Sequence, residues 1–95
     1  MIISQLTIVP LVENVSISKY VKIVIEVIKK HNVKSETNAM ATVIETEDLE
    51  TLFNIVKEAH MSMINLGVQR VVTELKIDDR RDKNATINTK LNAIK

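Results

Sequence analysis

Apolar and polar residues alternate with a period of two near the start of the chain and again in its last third. Residues 2–9 are rich in β-branched side chains, and alternate residues of an extended chain point to opposite faces. Pro10 cannot donate to a strand ladder and is expected to end this strand. Residues 70–78 repeat the alternation. The pattern therefore predicts a first strand over 2–9 and a last strand over 70–78.

Between these strands, apolar residues recur with helical spacing in two segments. In the first, either Ser16 or Ser18 is expected to cap a helix that ends near Asn32. In the second, Thr46 is expected to cap a helix that ends before Gly67, the only glycine. The buried stripe predicted for the second helix consists of Leu49, Leu52, Phe53, Val56, Ala59 and Met63.

The segment between the helices and the end of the chain complete the element order. Residues 34–45 are typical of extended structure with a turn or bulge at 38–40, so they form two short strands or one bent strand. Ile87, Leu91 and Ile94 have the spacing of a short terminal helix. The resulting β-α-β-β-α-β order predicts an α+β, ferredoxin-like fold, in which two helices cover one face of an antiparallel sheet.

The sheet face opposite the helices, called the open face below, follows from the strand phases. Leu6 and Leu75 belong with the helices, so their sequence neighbours point the other way. The open face is expected to carry Gln5, Thr7, Glu74 and Lys76, and Thr42 if Val43 points to the helices. This face is either solvated or covered by another chain that encloses a polar ligand.

Composition and charge restrict the classes of partner. The chain has 95 residues, a net charge of +1, 2% aromatic residues and no cysteine. This length predicts a single domain over residues 1–95. Without a basic tail or many aromatic residues, there is no support for a nucleic-acid or membrane partner, and disulfides and thiolate metal sites are excluded. No apolar run is long enough for a membrane span and the N-terminus lacks a signal-peptide pattern, so a cytoplasmic protein is expected.

Candidate catalytic and metal-binding groups do not form a recognisable set. His31 and His60 lie on different predicted helices, and neither has a second ligand at metal spacing. The charged run 78–83 contains three aspartates, but Arg80 and Arg81 are interleaved with them and favour pairing within the run. We therefore expect neither an enzyme nor a bound metal or cofactor.

Three stretches carry a resemblance to a known family. They are residues 6–11 (LTIVPL), 38–45 (NAMATVIE) and 70–83 (RVVTELKIDDRRDK), of which 76–83 is the most specific. Together they resemble the thiamine-binding protein family, which is related to the YkoF-like proteins. The resemblance implies a ferredoxin-like subunit, a sheet-to-sheet dimer and commonly a tetramer. It also implies binding of thiamine or its hydroxymethylpyrimidine moiety, with no established catalysis.

When the family's ligand contacts are matched to positions in this sequence, the resemblance implies that they lie on the open face and at its edge. The expected contacts are Gln5, Thr7, Asn38, Thr42, Glu45, Glu74 and Lys76. The acidic groups are expected to offset a thiazolium charge, and the Thr and Asn groups to meet pyrimidine nitrogens. We therefore predict a homodimer or homotetramer that carries or senses thiamine or a related heterocycle. The alternative is a structural or regulatory homo-oligomer that holds an anion near Arg80 and Arg81.

Overall fold

Seven elements follow one another in the order that the hydrophobic pattern predicts. The computed structural model describes residues 1–13 and 16–95. The elements are β1 (Ile2–Pro10), α1 (Ser18–Lys30), β2 (Lys34–Thr37), β3 (Thr42–Thr46), α2 (Leu49–Asn65), β4 (Val71–Asp79) and α3 (Ile87–Asn92). The segment between the helices forms two short strands, which settles the alternative left open by the sequence.

The strands form one antiparallel sheet in the order β2-β3-β1-β4. In the central strand β1, Leu6 lies opposite Thr42 on one side and Leu75 on the other. Residues that lie opposite each other share a face of the sheet, so this register assigns every strand residue to a side. Even-numbered residues of β1 and β3 and odd-numbered residues of β2 and β4 face the helices. The predicted α+β, ferredoxin-like fold with an additional C-terminal helix is confirmed.

The hydrophobic core lies between this face of the sheet and the helices α1 and α2. Its fully buried members are Ile28, Ile44, Ile55, Ala59 and Met63. The stripe predicted for α2 is wrong at Phe53, which is 50% exposed. Phe53 lies about 100° of helix rotation beyond the buried Leu52, and Ile55 occupies the inward position instead.

The helix N-termini differ from the sequence prediction. The side chain of Asp48, not that of Thr46, caps α2 and accepts a hydrogen bond from the backbone N–H three residues on at 2.7 Å. Thr46 is instead the last residue of β3. Helix α1 begins after Ile17 without a side-chain cap. Ser16 Oγ accepts a 3.4 Å bond from the N–H of Ser18 and shares a 2.8 Å hydrogen bond with Ser18 Oγ.

Both predicted helix stops are confirmed. Asn32 and Gly67 have φ values of 55° and 90°, in the left-handed region that ends a helix. A Cβ atom at Gly67 would meet nothing within 4 Å, so backbone conformation and not crowding favours glycine there.

The C-terminal segment covers one end of the open face. Ala85 and Ile87 are buried, and the backbone N–H of Ile87 donates to Glu45 Oε1 at 2.8 Å. Ile3, which lies opposite Glu45 on the open face, is also buried. The predicted terminal helix is therefore confirmed and docks through its first residue. No helix in the described ranges is both long enough and apolar enough to cross a membrane.

Candidate functional site

Four of the predicted ligand contacts lie together on the open face. Thr7 lies opposite Glu74, and Gln5 lies opposite Lys76, on the neighbouring strands β1 and β4. Glu74 and Lys76 are exposed. The strand phases of β1 and β4 were therefore predicted correctly, and these side chains form a polar strip along the centre of the open face.

Thr42 does not belong to this strip. It lies opposite Leu6 in the register, on the helix side of the sheet, and is 7% exposed. The expectation that Val43 points to the helices is wrong because Ile44 fills that core position. Alternation then places Val43 opposite Gln5 on the open face.

Glu45 lies on the open face beneath the C-terminal segment. Its Oε1 atom accepts the N–H of Ile87, the first residue of α3. A carboxylate at a helix N-terminus is favourable because the first backbone N–H groups have no partner within the helix. Glu45 therefore has a structural role that the sequence did not indicate, and its contact with a ligand stays a prediction.

A cavity of about 180 Å³ lies where β3 has ended but β1 continues. The second half of β1, the turn between β2 and β3, and the first turns of α1 surround it. Its apolar wall includes Ile8, Val21 and Val24, and its polar rim includes Thr7, Asn38 and Thr42. The structure thus brings three of the seven predicted ligand contacts to one cavity, which is called the turn cavity below.

Two hydrogen-bonded groups shape the polar rim of the turn cavity. The hydroxyls of Thr37 and Thr42 lie 3.0 Å apart and share a hydrogen bond. Asn38 Oδ1 accepts the backbone N–H groups of Met40 at 2.8 Å and Ala41 at 3.0 Å. This arrangement holds the turn in place and leaves the amide NH₂ of Asn38 as a donor.

The main chain of β1 also contributes to the turn cavity. Successive residues of a strand direct their N–H and C=O groups to opposite neighbours. Leu11 N–H donates to the carbonyl of Arg70 at 2.9 Å, so odd-numbered residues of β1 face β4 and even-numbered residues face β3. Because β1 pairs with β3 only as far as Leu6, Ile8 directs its N–H and C=O into the space beyond β3.

Comparison with known proteins places these features in a family. Residues 4–95 match the family model described as thiamine-binding protein. This chain belongs to the thiamine-binding protein family. It is 50% identical over 93 residues to the UPF0045 protein MJ1052 of Methanocaldococcus jannaschii, covering 98% of this chain and 91% of that protein. It is 43% identical over 96 residues to a UPF0045 protein of Methanothermobacter thermautotrophicus, covering 100% and 97% of the two chains.

Solved structures of thiamine-binding protein relatives have the same fold. The crystal structure of MJ1052 matches with a TM-score of 0.90 at 50% identity, over 98% of this chain and 94% of that one. A Thermotoga maritima protein, provisionally described as a thiamine biosynthesis/salvage protein, matches with a TM-score of 0.84 at 26% identity. That match covers 99% of this chain and 98% of the other. The family resemblance expected from the sequence is thereby confirmed.

In this thiamine-binding protein family member, the two arginines proposed for anion binding are paired within the chain. Arg80 Nε lies 2.8 Å from Asp82, and a terminal nitrogen of Arg81 lies 2.8 Å from Asp79. Hydrogen bonds to these carboxylates raise the pKa of both guanidinium groups. The expected pairing within the charged run is confirmed. A shallow cavity of about 420 Å³ is lined by both arginines but also by Glu47, and anion binding there stays a prediction.

The two histidines take part in hydrogen bonds between elements. His31 Nε2 lies 2.5 Å from Glu58 Oε2, and Lys30 Nζ lies 2.8 Å from the other oxygen. The hydrogen bond from Lys30, and then that from His31, lowers the pKa of Glu58. His60 Nδ1 lies 2.7 Å from the hydroxyl of Thr73 and so links α2 to β4. Residues 1–13 and 16–95 contain no group of three His, Cys, Asp or Glu side chains placed to hold a metal.

Proposed function

We propose that this chain is a non-enzymatic carrier or sensor of thiamine or its hydroxymethylpyrimidine moiety. It acts in the cytoplasm as a homodimer or homotetramer. The observation that best supports the proposal is the turn cavity, which combines an apolar wall with hydrogen-bonding groups in a member of the thiamine-binding protein family. Small-molecule sites commonly have this composition, with few polar groups that orient the ligand.

The size of the turn cavity favours a single heteroaromatic ring. Drug-sized ligands occupy pockets of roughly 300–1,000 Å³. The turn cavity has about 180 Å³, so it accommodates the pyrimidine ring and leaves the rest of thiamine outside. In this proposal the ring packs between Ile8 of β1 and Val24 of α1.

The polar groups of the turn cavity match the edge of an aminopyrimidine. Such an edge presents an amine donor beside ring nitrogens that accept. Ile8 presents one main-chain acceptor and one donor, Thr42 a hydroxyl that does both, and Asn38 an amide NH₂. A ligand that lacked these nitrogens would leave the desolvated protein groups unpaired and would bind more weakly.

The remainder of thiamine passes over Thr7 to the open face. Thr7 lies opposite Glu74, whose carboxylate offsets the positive charge of the thiazolium ring. Gln5 and Lys76 form the next pair along the strands. Glu45 lies at the other end of the open face, opposite Ile3, so a charge-offsetting contact with the ligand stays a prediction for this residue.

A second subunit covers part of the open face in the proposed assembly. Val9 and Val72 lie opposite each other there and are both exposed. They form an apolar area beside the polar strip, and a mixture of apolar and hydrogen-bonding surface is typical of protein interfaces. The proposed oligomer thus shields the outer part of the ligand from water.

Isothermal titration with thiamine and with free hydroxymethylpyrimidine tests the proposal. We expect Thr42→Val to weaken the binding of both ligands about tenfold, as expected for one lost hydrogen bond in a desolvated site. Thr46→Val is the matched control because Thr46 lies on the same strand and face, is fully buried, and has no hydrogen-bond partner within the described residues. Lack of saturable binding by the wild type, or equal weakening by both variants, contradicts the proposal.

Glu74→Gln separates the two parts of the ligand. The variant is expected to weaken the binding of thiamine, which carries the thiazolium charge, and to leave that of neutral hydroxymethylpyrimidine unchanged. Glu36→Gln is the control, since Glu36 lies on the same face but on the outer strand β2. Equal effects of Glu74→Gln on both ligands would place the thiazolium elsewhere.

A further inference from the structure

The turn between β2 and β3 exposes one large apolar side chain to solvent. Met40 is 85% exposed, more than any other large apolar residue in the described ranges. It also lines the turn cavity, together with its small neighbours Ala39 and Ala41. Single exposed apolar residues are common and carry no meaning by themselves. An exposed apolar side chain beside a ligand cavity is different, because it is placed to cover what the cavity holds.

The backbone of this turn is fixed by hydrogen bonds, whereas the side chain of Met40 extends into solvent. Asn38 Oδ1 accepts the N–H groups of Met40 and Ala41, and Asn38 N–H donates to the carbonyl of Ala41 at 2.9 Å. A methionine side chain has three rotatable bonds and a polarizable sulfur, and so adapts to the shape of its neighbours. Met40 is therefore a flexible apolar side chain on a rigid support.

The turn cavity needs such a cover. Ile17 and Val21, at the start of α1, also line the cavity and are also exposed. A heteroaromatic ring in the cavity would therefore keep part of its surface in water. Covering that surface is favourable because apolar area is removed from water, and a contact between sulfur and an aromatic ring adds to the gain.

We propose that Met40 covers the ring bound in the turn cavity and that a peroxide weakens ligand binding by oxidising the Met40 thioether to a sulfoxide. This inference rests on the proposed function and adds a modification site that regulates it. The sulfoxide is polar, so packing it against the ring removes a strong hydrogen-bond acceptor from water without a guaranteed partner. Oxidised Met40 then stays in solvent and leaves the ring uncovered.

Met40 is also the methionine most accessible to an oxidant. The chain has four methionines. Met63 is fully buried in the core, Met61 on α2 is 40% exposed, and Met1 is partly buried. Oxidation requires contact between the sulfur and the oxidant, so the difference in exposure favours Met40.

The modification is a reversible two-electron step. The sulfur lone pair attacks one oxygen of hydrogen peroxide, an S–O bond forms and the O–O bond breaks. The sulfur is oxidised by two electrons, and the second oxygen leaves as water after taking up the proton of the transferred oxygen. Methionine sulfoxide reductases reverse the step with two thiol groups, which become a disulfide as the sulfoxide oxygen leaves as water.

Peptide mass spectrometry after brief treatment of the folded protein with hydrogen peroxide tests the selectivity. We expect the sulfoxide to form first at Met40, more slowly at Met61 and last at Met63. Circular dichroism before and after treatment checks that the fold is kept. Oxidation of Met63 as early as that of Met40 in the folded protein overturns the proposal.

Isothermal titration with hydroxymethylpyrimidine tests the effect on binding. We expect treatment to weaken binding by the wild type about three- to tenfold, the range for losing one contact between sulfur and an aromatic ring. Reduction by methionine sulfoxide reductases is expected to restore it. Met40→Leu keeps an apolar side chain of similar volume that peroxide does not oxidise, so its affinity is expected to be the same before and after treatment. Met61→Leu is the matched control and is expected to lose affinity on treatment as the wild type does.

The variant Met40→Gln imitates the polar sulfoxide without an oxidant and is expected to bind more weakly than Met40→Leu. Unchanged affinity of the wild type after complete oxidation of Met40, or an equal loss in treated Met40→Leu, overturns the role of Met40 and leaves the proposed function standing. Absence of binding by the untreated wild type refutes the proposed function and this inference together, so the two failures are distinguishable.

Discussion

Truncation of Ile87 tests whether the C-terminal segment is held on the sheet by its first helical residue. Ile87 is 4% exposed, although α3 has only six residues. Alanine removes three buried carbon atoms, each worth about 0.8 kcal/mol in transfer free energy. Measured Ile→Ala changes range from about 2 to 5 kcal/mol because a cavity adds to this loss. We expect Ile87→Ala to lower the free energy of unfolding by about 2–3 kcal/mol, since the segment lies at the surface and relaxes into part of the cavity.

Leu91→Ala is the matched control for this experiment. It removes the same number of carbon atoms from the next turn of α3, but Leu91 is 41% exposed. Its expected cost is about 1 kcal/mol or less. The exposed ion pair of Lys90 with Asp78, 2.6 Å long, is retained in both variants and contributes little.

Urea unfolding followed by circular dichroism measures the two changes. All proteins are compared at one concentration because association would make the apparent stability concentration-dependent. If α3 docks through Ile87, Ile87→Ala lowers the free energy of unfolding by at least about 1 kcal/mol more than Leu91→Ala does. A loss below about 0.5 kcal/mol for Ile87→Ala, or equal losses for both, refutes the docking of α3 through Ile87.

Three further predictions concern single residues of the fold. Thr46→Val is expected to raise the free energy of unfolding in urea by about 1 kcal/mol, because the buried Oγ1 has no hydrogen-bond partner within residues 1–13 and 16–95. A lower free energy of unfolding would mean that this hydroxyl is hydrogen-bonded. Gly67→Ala is expected to lower the free energy of unfolding by about 1–2 kcal/mol, because residue 67 has a φ of 90° that alanine adopts only with strain. An unchanged urea midpoint would contradict this explanation. The hydrogen bonds from Thr51 lower the pKa of Asp48 below its ordinary 3.8, so the stability it contributes is present above that value and is lost as pH falls through the folded-state pKa. Asp48→Asn keeps an acceptor, and acid unfolding of this variant is expected to begin at lower pH than that of the wild type.

The fold was predictable because its long elements have clear periodicity. The alternation in β1 and β4 assigned Leu6 and Leu75 to the helix side, and the register confirms this. β3 was misassigned because it has five residues with two adjacent apolar positions, Val43 and Ile44. A shift of one residue exchanges the two faces of a strand, and pairing with β1 decides between them.

The candidate site was predictable only in part. Thr7, Asn38 and Thr42 were identified from the sequence, and they line the same cavity. The main-chain groups of Ile8 have no side-chain signature, since they depend on where the neighbouring strand ends. The bond between Glu45 and Ile87 joins residues 42 positions apart, and no local pattern encodes such a contact.

The most direct test of the proposed ligand site is a titration of ¹⁵N-labelled protein with hydroxymethylpyrimidine, followed by the amide signals. We predict that Ile8, Ala41 and the side-chain NH₂ of Asn38 shift together and saturably, while the amides of Ile2 and Asp79, which pair at the opposite end of β1, stay unchanged. Shifts confined to the open-face residues of β4, or no shifts at all, would contradict binding of the pyrimidine in the turn cavity.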